Sequence, residues 1–149
     1  MRPFENKEEA YDWCIGDGQI ISREEIGKDR IESNLQIAKE GIESGKDNIT
    51  KKRWNSTYKD HYDALHLLVE SYLIFDKVKS KNHQCLFTFI CVKHAELELD
   101  WNFFDKIRTK RNGINYYGTT VNEKDWKEAE LQFNLYIKLL KEKIEEKLV

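Results

Sequence analysis

The chain has 149 residues, of which 35% are charged and 40% are hydrophobic, and its formal net charge is -2. One domain of this size buries a hydrophobic core, and the near balance of charge excludes a uniformly cationic nucleic-acid coat, so any attraction for phosphate must come from a local patch. No apolar run approaches the about 20 residues of a membrane helix, and charges replace the apolar stretch of a signal peptide, so we expect a cytoplasmic protein that does not enter a membrane.

The first predicted elements are a short helix and a long one. Asn6 and Glu9 predict the cap of a short helix within an N-terminal extension, residues 1–21. Ser22 and Glu25 form a capping-box pattern that predicts the start of a long helix. This helix carries apolar residues three or four positions apart, and two glycines one turn apart that indicate either close approach of another helix or a frayed end: Ile31, Leu35, Ala38, Ile42 and Ile49, with Gly41 and Gly45.

The later elements are also helical. A second long helix is predicted from near Asn55, Asn82 is predicted to cap a third helix, and Asp100 a fourth over residues 101–118. Thr120 and Glu123 form a capping-box pattern before the last helix. Strand signals are weak, and no proline interrupts the helices. The sequence therefore predicts an all-α fold, an antiparallel bundle of about five helices that forms one domain over residues 1–149.

Cysteine and histidine spacing predicts no metal site and no cofactor. Three cysteines occur without a Cys-x-x-Cys pair, and we expect buried free thiols: Cys14, Cys85 and Cys91. His61 and His66 are five residues apart, which does not suit a two-histidine site on a helix. His83 follows the predicted cap Asn82, where it either makes a local hydrogen bond or reaches the region of Arg111 described next.

The stretch "KIRTKRNGINYYG", residues 106–118, concentrates cations in the second half of the predicted fourth helix, residues 101–118. Arg111 lies four residues after Ile107 and therefore on the apolar stripe, whereas we expect its cationic neighbours to point elsewhere: Lys106, Arg108 and Lys110. A desolvated guanidinium needs a partner, which is either a carboxylate such as Glu70 or a phosphate from outside.

The residues after Arg111 allow two interpretations. Gly113 removes side-chain bulk beside Arg111, which would suit a groove for a ligand or a partner helix. Tyr116 and Tyr117 could stack on a base or hydrogen-bond a phosphate. Alternatively, the segment only ends the helix, with Gly118 as its C-cap.

The "RN" dipeptide of Arg111 and Asn112, late in the penultimate helix, and the stretch "HYDALHLLVESYLIFDKVKSKNH", residues 61–83, resemble the HEPN family of helical-bundle proteins. The resemblance implies a homodimer whose cleft holds an arginine followed, after four to six residues, by a histidine. In active members this pair cuts RNA without a metal. At the corresponding positions this chain has Tyr116, Tyr117 and Gly118, so the histidine is missing, and tyrosine is a poor base at neutral pH.

The leading hypothesis is a HEPN-like protein, non-catalytic or weakly active, that binds a nucleotide, RNA or a small nucleotidyltransferase partner. The residues assigned to phosphate or nucleotide binding are Arg111, Asn112, Lys110, Arg108, Tyr117 and His83. The first alternative is a metal-independent endoribonuclease, the toxin of a toxin–antitoxin pair, with Arg111 and one of Tyr116, Tyr117 and His83 as catalytic candidates. The second alternative is a helical interaction module without a ligand, in which Arg111 forms a structural ion pair.

Overall fold

The structure is a computed structural model that describes residues 3–149. This part of the chain forms six α-helices, two short strands and one 3₁₀ turn, in the order α1 (Lys7–Gly16), β1 (Ile20–Ser22), α2 (Lys28–Thr50), α3 (Trp54–Ile74), β2 (Val78–Ser80), α4 (His83–Lys93), the 3₁₀ turn (Ala95–Leu97), α5 (Trp101–Tyr116) and α6 (Glu123–Leu148). The predicted helical architecture is confirmed. None of the helices within residues 3–149 combines the length and the apolar character needed to cross a bilayer.

Helix starts follow the predicted caps in three cases. The side-chain oxygens of Asn6, Asn82 and Asp100 accept hydrogen bonds from backbone N–H groups in the first turns of α1, α4 and α5. The other two predicted boxes are wrong. Ser22 lies in β1, and α2 begins only at Lys28. The box of α6 is formed by Asn122 and Asp125, because asparagine is a better N-cap than threonine and the chain runs extended up to it.

Helices α2 and α3 form an antiparallel hairpin joined by residues 51–53. The two glycines of α2 face α3: a Cβ at Gly41 would lie 3.8 Å from the Cβ of Ala64, and a Cβ at Gly45 would lie 2.7 Å from Nδ1 of His61. Gly45 is buried within α2. The glycines therefore mark close helix approach, and the alternative of a frayed end is wrong.

Aromatic rings fill the space between α3, α5 and α6. Phe133 of α6 lies edge-on to Tyr58 of α3, with ring centroids 5.5 Å apart, and it contacts Phe103 of α5 at 5.4 Å. Phe104 stacks on Phe87 of α4 at 4.6 Å. The apolar side of α5 is held in the core by this packing. The polar residues next to that side therefore face α4 and the edge of α3.

Strands β1 and β2 pair in antiparallel register, with Ile20 opposite Ser80 and Ser22 opposite Val78. Hydrogen bonds from Arg23 N–H to the Lys77 carbonyl and from Lys81 N–H to the Gln19 carbonyl extend the pairing at both ends. Strand signals in the sequence are weak because each strand has three residues and its partner lies far away in the chain. This two-stranded sheet ties the segment before α2 to the segment before α4.

The cysteines correct a prediction. Cys14 of α1 and Cys85 of α4 form a disulfide, and Cys91 is a buried free thiol. The expectation of three free thiols is thus wrong for two of them. The pairing is invisible in the sequence because the two positions are 71 residues apart and meet only when α1 packs on α4. The bond fixes α1 beside the first turn of α4.

Candidate functional site

The candidate site is built on the C-terminal half of α5. Asp100 caps this helix, and its apolar stripe packs against α3, α4 and α6. Arg108 lies one turn after Phe104, and Arg111 lies three residues further, so both guanidinium groups leave the same side of the helix. Two adjacent cations on one helix side repel each other unless a third group of opposite charge is present.

A cleft of about 330 Å³ lies between this side of α5, the first turn of α4 and α1. We call it the α5 cleft, and the residues that line it are Trp13, Asn82, His83, Gln84, Arg108, Arg111, Asn112 and Tyr116. The N-terminus of α4 borders the cleft, and a helix N-terminus carries about half a positive charge. The cleft therefore combines two guanidinium groups with the positive end of a helix.

Arg108 is buried, with 5% of its surface exposed. One terminal nitrogen donates to Asp105 Oδ1 at 2.7 Å. Its Nε is buried and has no hydrogen-bond partner within residues 3–149. The expectation that Arg108 points away from the apolar stripe is wrong. Arg108 lies one turn after buried Phe104, on the side of α5 that packs against its neighbours, and it lines the α5 cleft. An incompletely satisfied buried guanidinium is costly, and an anion in the α5 cleft would offset part of that cost by stabilising its charge.

Arg111 lies over the ring of Tyr62, with its guanidinium carbon 5.2 Å from the ring centroid. Its nearest carboxylate is Asp63, 3.8 Å away, and that side chain is 59% exposed. The Nε of Arg111 is buried and unpartnered among the described residues. Glu70 pairs instead with Arg30, so the predicted choice of Glu70 as partner is wrong. An exposed ion pair at this distance is weak and easily replaced by a ligand.

Two stacked histidines adjoin the α5 cleft: His83 lines it, and His66 lies behind His83. The Tyr62 hydroxyl and His83 Nδ1 share a hydrogen bond of 2.9 Å, and the rings of His83 and His66 stack with centroids 3.7 Å apart. Burial, followed by the charges of Arg111 and Arg108, lowers the pKa of His83 to about 4. Burial, followed by His83 and Arg111, lowers the pKa of His66 to about 3. Both imidazoles are thus neutral at pH 7, and the positive charge of the cleft resides on the arginines.

The predicted site residues separate into two groups. Arg108, Arg111, Asn112 and His83 line the α5 cleft, as does Tyr116, a catalytic candidate. Lys110 and Tyr117 line a different depression, formed with the segment after α5.

Lys110 is already engaged within the fold, because its Nζ lies 3.1 Å from Asp125 Oδ1. Asp125 in turn belongs to the capping box of α6. The side of α5 that holds Lys110 is therefore occupied by the start of α6.

Gly113 serves the loop after α5. A Cβ at Gly113 would lie 3.2 Å from the Cβ of Thr119, so the space beside it is filled by the chain itself. Gly113 lines the same depression as Lys110 and Tyr117, whereas Arg111 lines the α5 cleft, so the ligand groove expected at Gly113 stays a prediction. The helix ends at Tyr116 with Tyr117 as C-cap, and Gly118 follows with a left-handed φ of 64°. The predicted helix end is therefore correct to within one residue, and Gly118 is the residue that allows the chain to turn.

Sequence reasoning missed two residues of the site. His66 lies one turn after Tyr62 on α3, a spacing that places it near the apolar stripe, and its ring stacks on that of His83. Trp13 reaches the cleft through the packing of α1 on α4, for which the sequence holds no local signal. No cluster of three or more His, Cys, Asp or Glu residues that could hold a metal occurs within residues 3–149.

The arrangement suits anion binding more than bond cleavage. Buried guanidinium groups with free N–H donors match the oxygens of a phosphate group. A neutral imidazole beside them could accept a proton. No protein-family model, curated protein or solved structure matches this chain. The proposal that follows is therefore argued from the geometry of the α5 cleft.

Proposed function

We propose that the α5 cleft binds the phosphate of a nucleotide or of RNA, in a HEPN-like protein that is non-catalytic or weakly active. The observation that carries the proposal is the pair Arg108 and Arg111: both line the α5 cleft, both side chains are largely buried, and each has a buried Nε without a partner in residues 3–149. Each arginine has one carboxylate neighbour, Asp105 for Arg108 and Asp63 for Arg111, but the described residues that line the α5 cleft include no carboxylate, so the cleft itself presents positive charge to an anion.

The proposal also includes the oligomeric state, the location and the protein partner that the HEPN resemblance implies. A HEPN-like protein would act as a cytoplasmic homodimer, and a small nucleotidyltransferase of a toxin–antitoxin pair is the proposed macromolecular partner. Exposed Tyr116 at the mouth of the α5 cleft supports nucleotide over inorganic phosphate, because a base can stack on an exposed ring.

Binding of a 5′-monophosphate nucleotide tests the proposal through two neighbouring cations. Arg111→Ala should weaken binding about 10-fold or more, because it removes a charge-assisted contact in a partly desolvated site. Lys110→Ala is the matched control and should change binding less than twofold, since Lys110 lies outside the α5 cleft and pairs with Asp125. Titration calorimetry measures both. Equal losses in the two variants would indicate a diffuse electrostatic surface and contradict the proposal.

The second candidate function is metal-independent RNA cleavage, and one observation favours it. His83 lies in the cleft with both arginines, and its lowered pKa keeps the imidazole neutral and able to accept a proton. We nevertheless expect slow or no cleavage, because a pKa of about 4 makes His83 a weak base.

Incubation of structured RNA with the pure protein, with and without EDTA, distinguishes the two functions. Any cleavage should be slow and insensitive to EDTA. Fast cleavage that is abolished by both Arg111→Ala and His83→Ala, with nucleotide affinity retained in His83→Ala, would make the endoribonuclease the leading function.

A further inference from the structure

A second cationic pocket lies beside the α5 cleft. It has a volume of about 200 Å³, and we call it the hairpin pocket because the α2–α3 hairpin forms one wall, while the β1–β2 sheet forms another. Its lining contains three cations and one carboxylate: Arg23, Arg30, Lys79 and Glu70. The remaining lining residues are His66, Ser80, Asn82 and Leu86. The pocket is thus positively charged, like the α5 cleft.

The two pockets share a thin wall. Asn82 lines both of them, His83 lines the α5 cleft, and His66 lines the hairpin pocket. The stacked rings of His66 and His83, 3.7 Å apart, therefore separate the pockets by little more than two imidazoles. Because both rings are neutral, the wall adds no charge of its own between the two groups of cations.

The wall is also held in place from several sides. Asn82 accepts a hydrogen bond from Cys85 N–H through Oδ1 and donates from Nδ2 to Gln19 Oε1. Tyr62 hydrogen-bonds His83, and Phe87 lies edge-on to His66 at 5.8 Å. The two cationic pockets are consequently fixed at one separation by α3, α4 and the segment before β1 that holds Gln19.

The cations of the hairpin pocket differ in how many hydrogen bonds and ion pairs they already make within the fold. Arg23 Nε donates to the Val78 carbonyl at 3.4 Å, which leaves its terminal nitrogens for other partners. Arg30 lies 3.6 Å from Glu70, and its side chain is 61% exposed. Lys79 is exposed on β2. The single carboxylate neutralises one of the three charges, so the pocket has an excess of positive charge for a ligand.

We infer that the hairpin pocket is a second phosphate subsite, and that the ligand is a single-stranded nucleic acid whose successive phosphates lie on the two sides of the His66–His83 wall. The inference rests on the proposed function and specifies its ligand. A mononucleotide has phosphate for one pocket only, whereas a polynucleotide backbone repeats its charge. Exposed Tyr116 at the α5 cleft offers a ring for base stacking, as in other single-strand binding surfaces.

The test compares a single-phosphate probe, AMP, with a multi-phosphate probe, fluorescein-labelled octauridylate. Lys79→Glu should weaken octauridylate binding about 10-fold or more and change AMP binding less than twofold, because only the longer ligand reaches the hairpin pocket. Lys138→Glu is the matched control: Lys138 is an exposed lysine of α6, remote in sequence from both pockets, and its variant should leave both affinities within twofold. Fluorescence anisotropy measures octauridylate binding, and calorimetry measures AMP binding.

Salt dependence gives an independent readout. For single strands, log K falls with log salt by about 0.7 per phosphate contacted, so Lys79→Ala should make the slope for octauridylate shallower by about 0.7. The slope for AMP should stay the same, as should both slopes in Lys138→Ala.

The outcomes separate the two proposals. Selective loss of octauridylate affinity in Lys79→Glu supports the second subsite. If Lys79→Glu affects both probes equally or neither, while Arg111→Ala still weakens both, the second subsite is wrong and the proposed function stands. If the wild-type protein binds neither probe, both proposals are wrong.

Discussion

Gly45 offers the most direct test of how α2 and α3 are packed. A methyl group at this position would lie 2.7 Å from Nδ1 of His61 and still closer to Cε1 of the same ring. His61 has little freedom to move, because Nδ1–H donates to the Thr57 carbonyl at 2.8 Å and the ring lies 4.4 Å from that of Trp126. Gly45→Ala must therefore displace a buried ring or push the helices apart.

The expected magnitude follows from three opposing terms. Overpacking a core costs about 1–3 kcal/mol, and loss of the His61 hydrogen bond costs about 1 kcal/mol. Better helix propensity of alanine returns about 1 kcal/mol. We expect Gly45→Ala to lower the free energy of unfolding by about 1–3 kcal/mol, as measured by urea denaturation.

Gly41→Ala is the matched control in the same helix. Its methyl group would make ordinary contacts, 3.8 Å from the Cβ of Ala64, so propensity should dominate and the protein should gain about 0.5–1 kcal/mol. Against a His61→Ala background, which opens the space, Gly45→Ala should lose most of its cost. Equal stabilities of Gly45→Ala and Gly41→Ala would refute the close approach described for Gly45.

Two further predictions concern stability and thiol chemistry. The folded-state pKa values of His66 and His83 are lowered to about 3 and about 4, so below the ordinary histidine pKa of about 6.5 the unfolded chain binds more protons than the folded one. The free energy of unfolding should therefore be at its full value above pH 6.5 and should decrease as the pH falls toward 4. Urea midpoints measured across this range should decrease less steeply in His83→Gln than in the wild type. Alkylation in denaturant should modify one cysteine without reductant and three with it, and three reactive thiols in the unreduced chain would contradict the Cys14–Cys85 bond. Reduction should lower the free energy of unfolding by about 4 kcal/mol, which is the chain-entropy value for a separation of 71 residues.

The helices could be predicted because their signals are local. Spacing of apolar residues and the side chains of Asn6, Asn82 and Asp100 are properties of a few neighbouring positions, and the structure confirms them. The capping box of α2 failed for a nonlocal reason: Ser22 pairs with Val78, more than 50 residues away, and backbone pairing overrides the cap. The disulfide and the β1–β2 pairing are absent from the prediction for the same reason.

In the candidate site, too, local features could be predicted and contacts between separate elements could not. Periodicity placed Arg111 on the packed side of α5, and the structure agrees. The burial of Arg108 depends on how α4 and α1 pack against that side, which a single-helix pattern does not contain. The contact of His83 with His66 joins α4 to α3, and the choice of Asp63 over Glu70 as the neighbour of Arg111 depends on the exact rotation of α3. Each of these contacts joins separate elements.

The Cys14–Cys85 bond also changes the topology of the chain. It closes a covalent ring that contains β1, α2, α3 and β2, about half of the polypeptide. The turn between α2 and α3 lies within that ring and exposes three basic residues in succession: Lys51, Lys52 and Arg53. A protease that cuts once at this turn would release no fragment, because the two pieces remain joined through α1 and α4. Nicked protein would run as one species on a non-reducing gel and as two after reduction. The disulfide therefore keeps the two pieces covalently linked after a cut at this exposed turn.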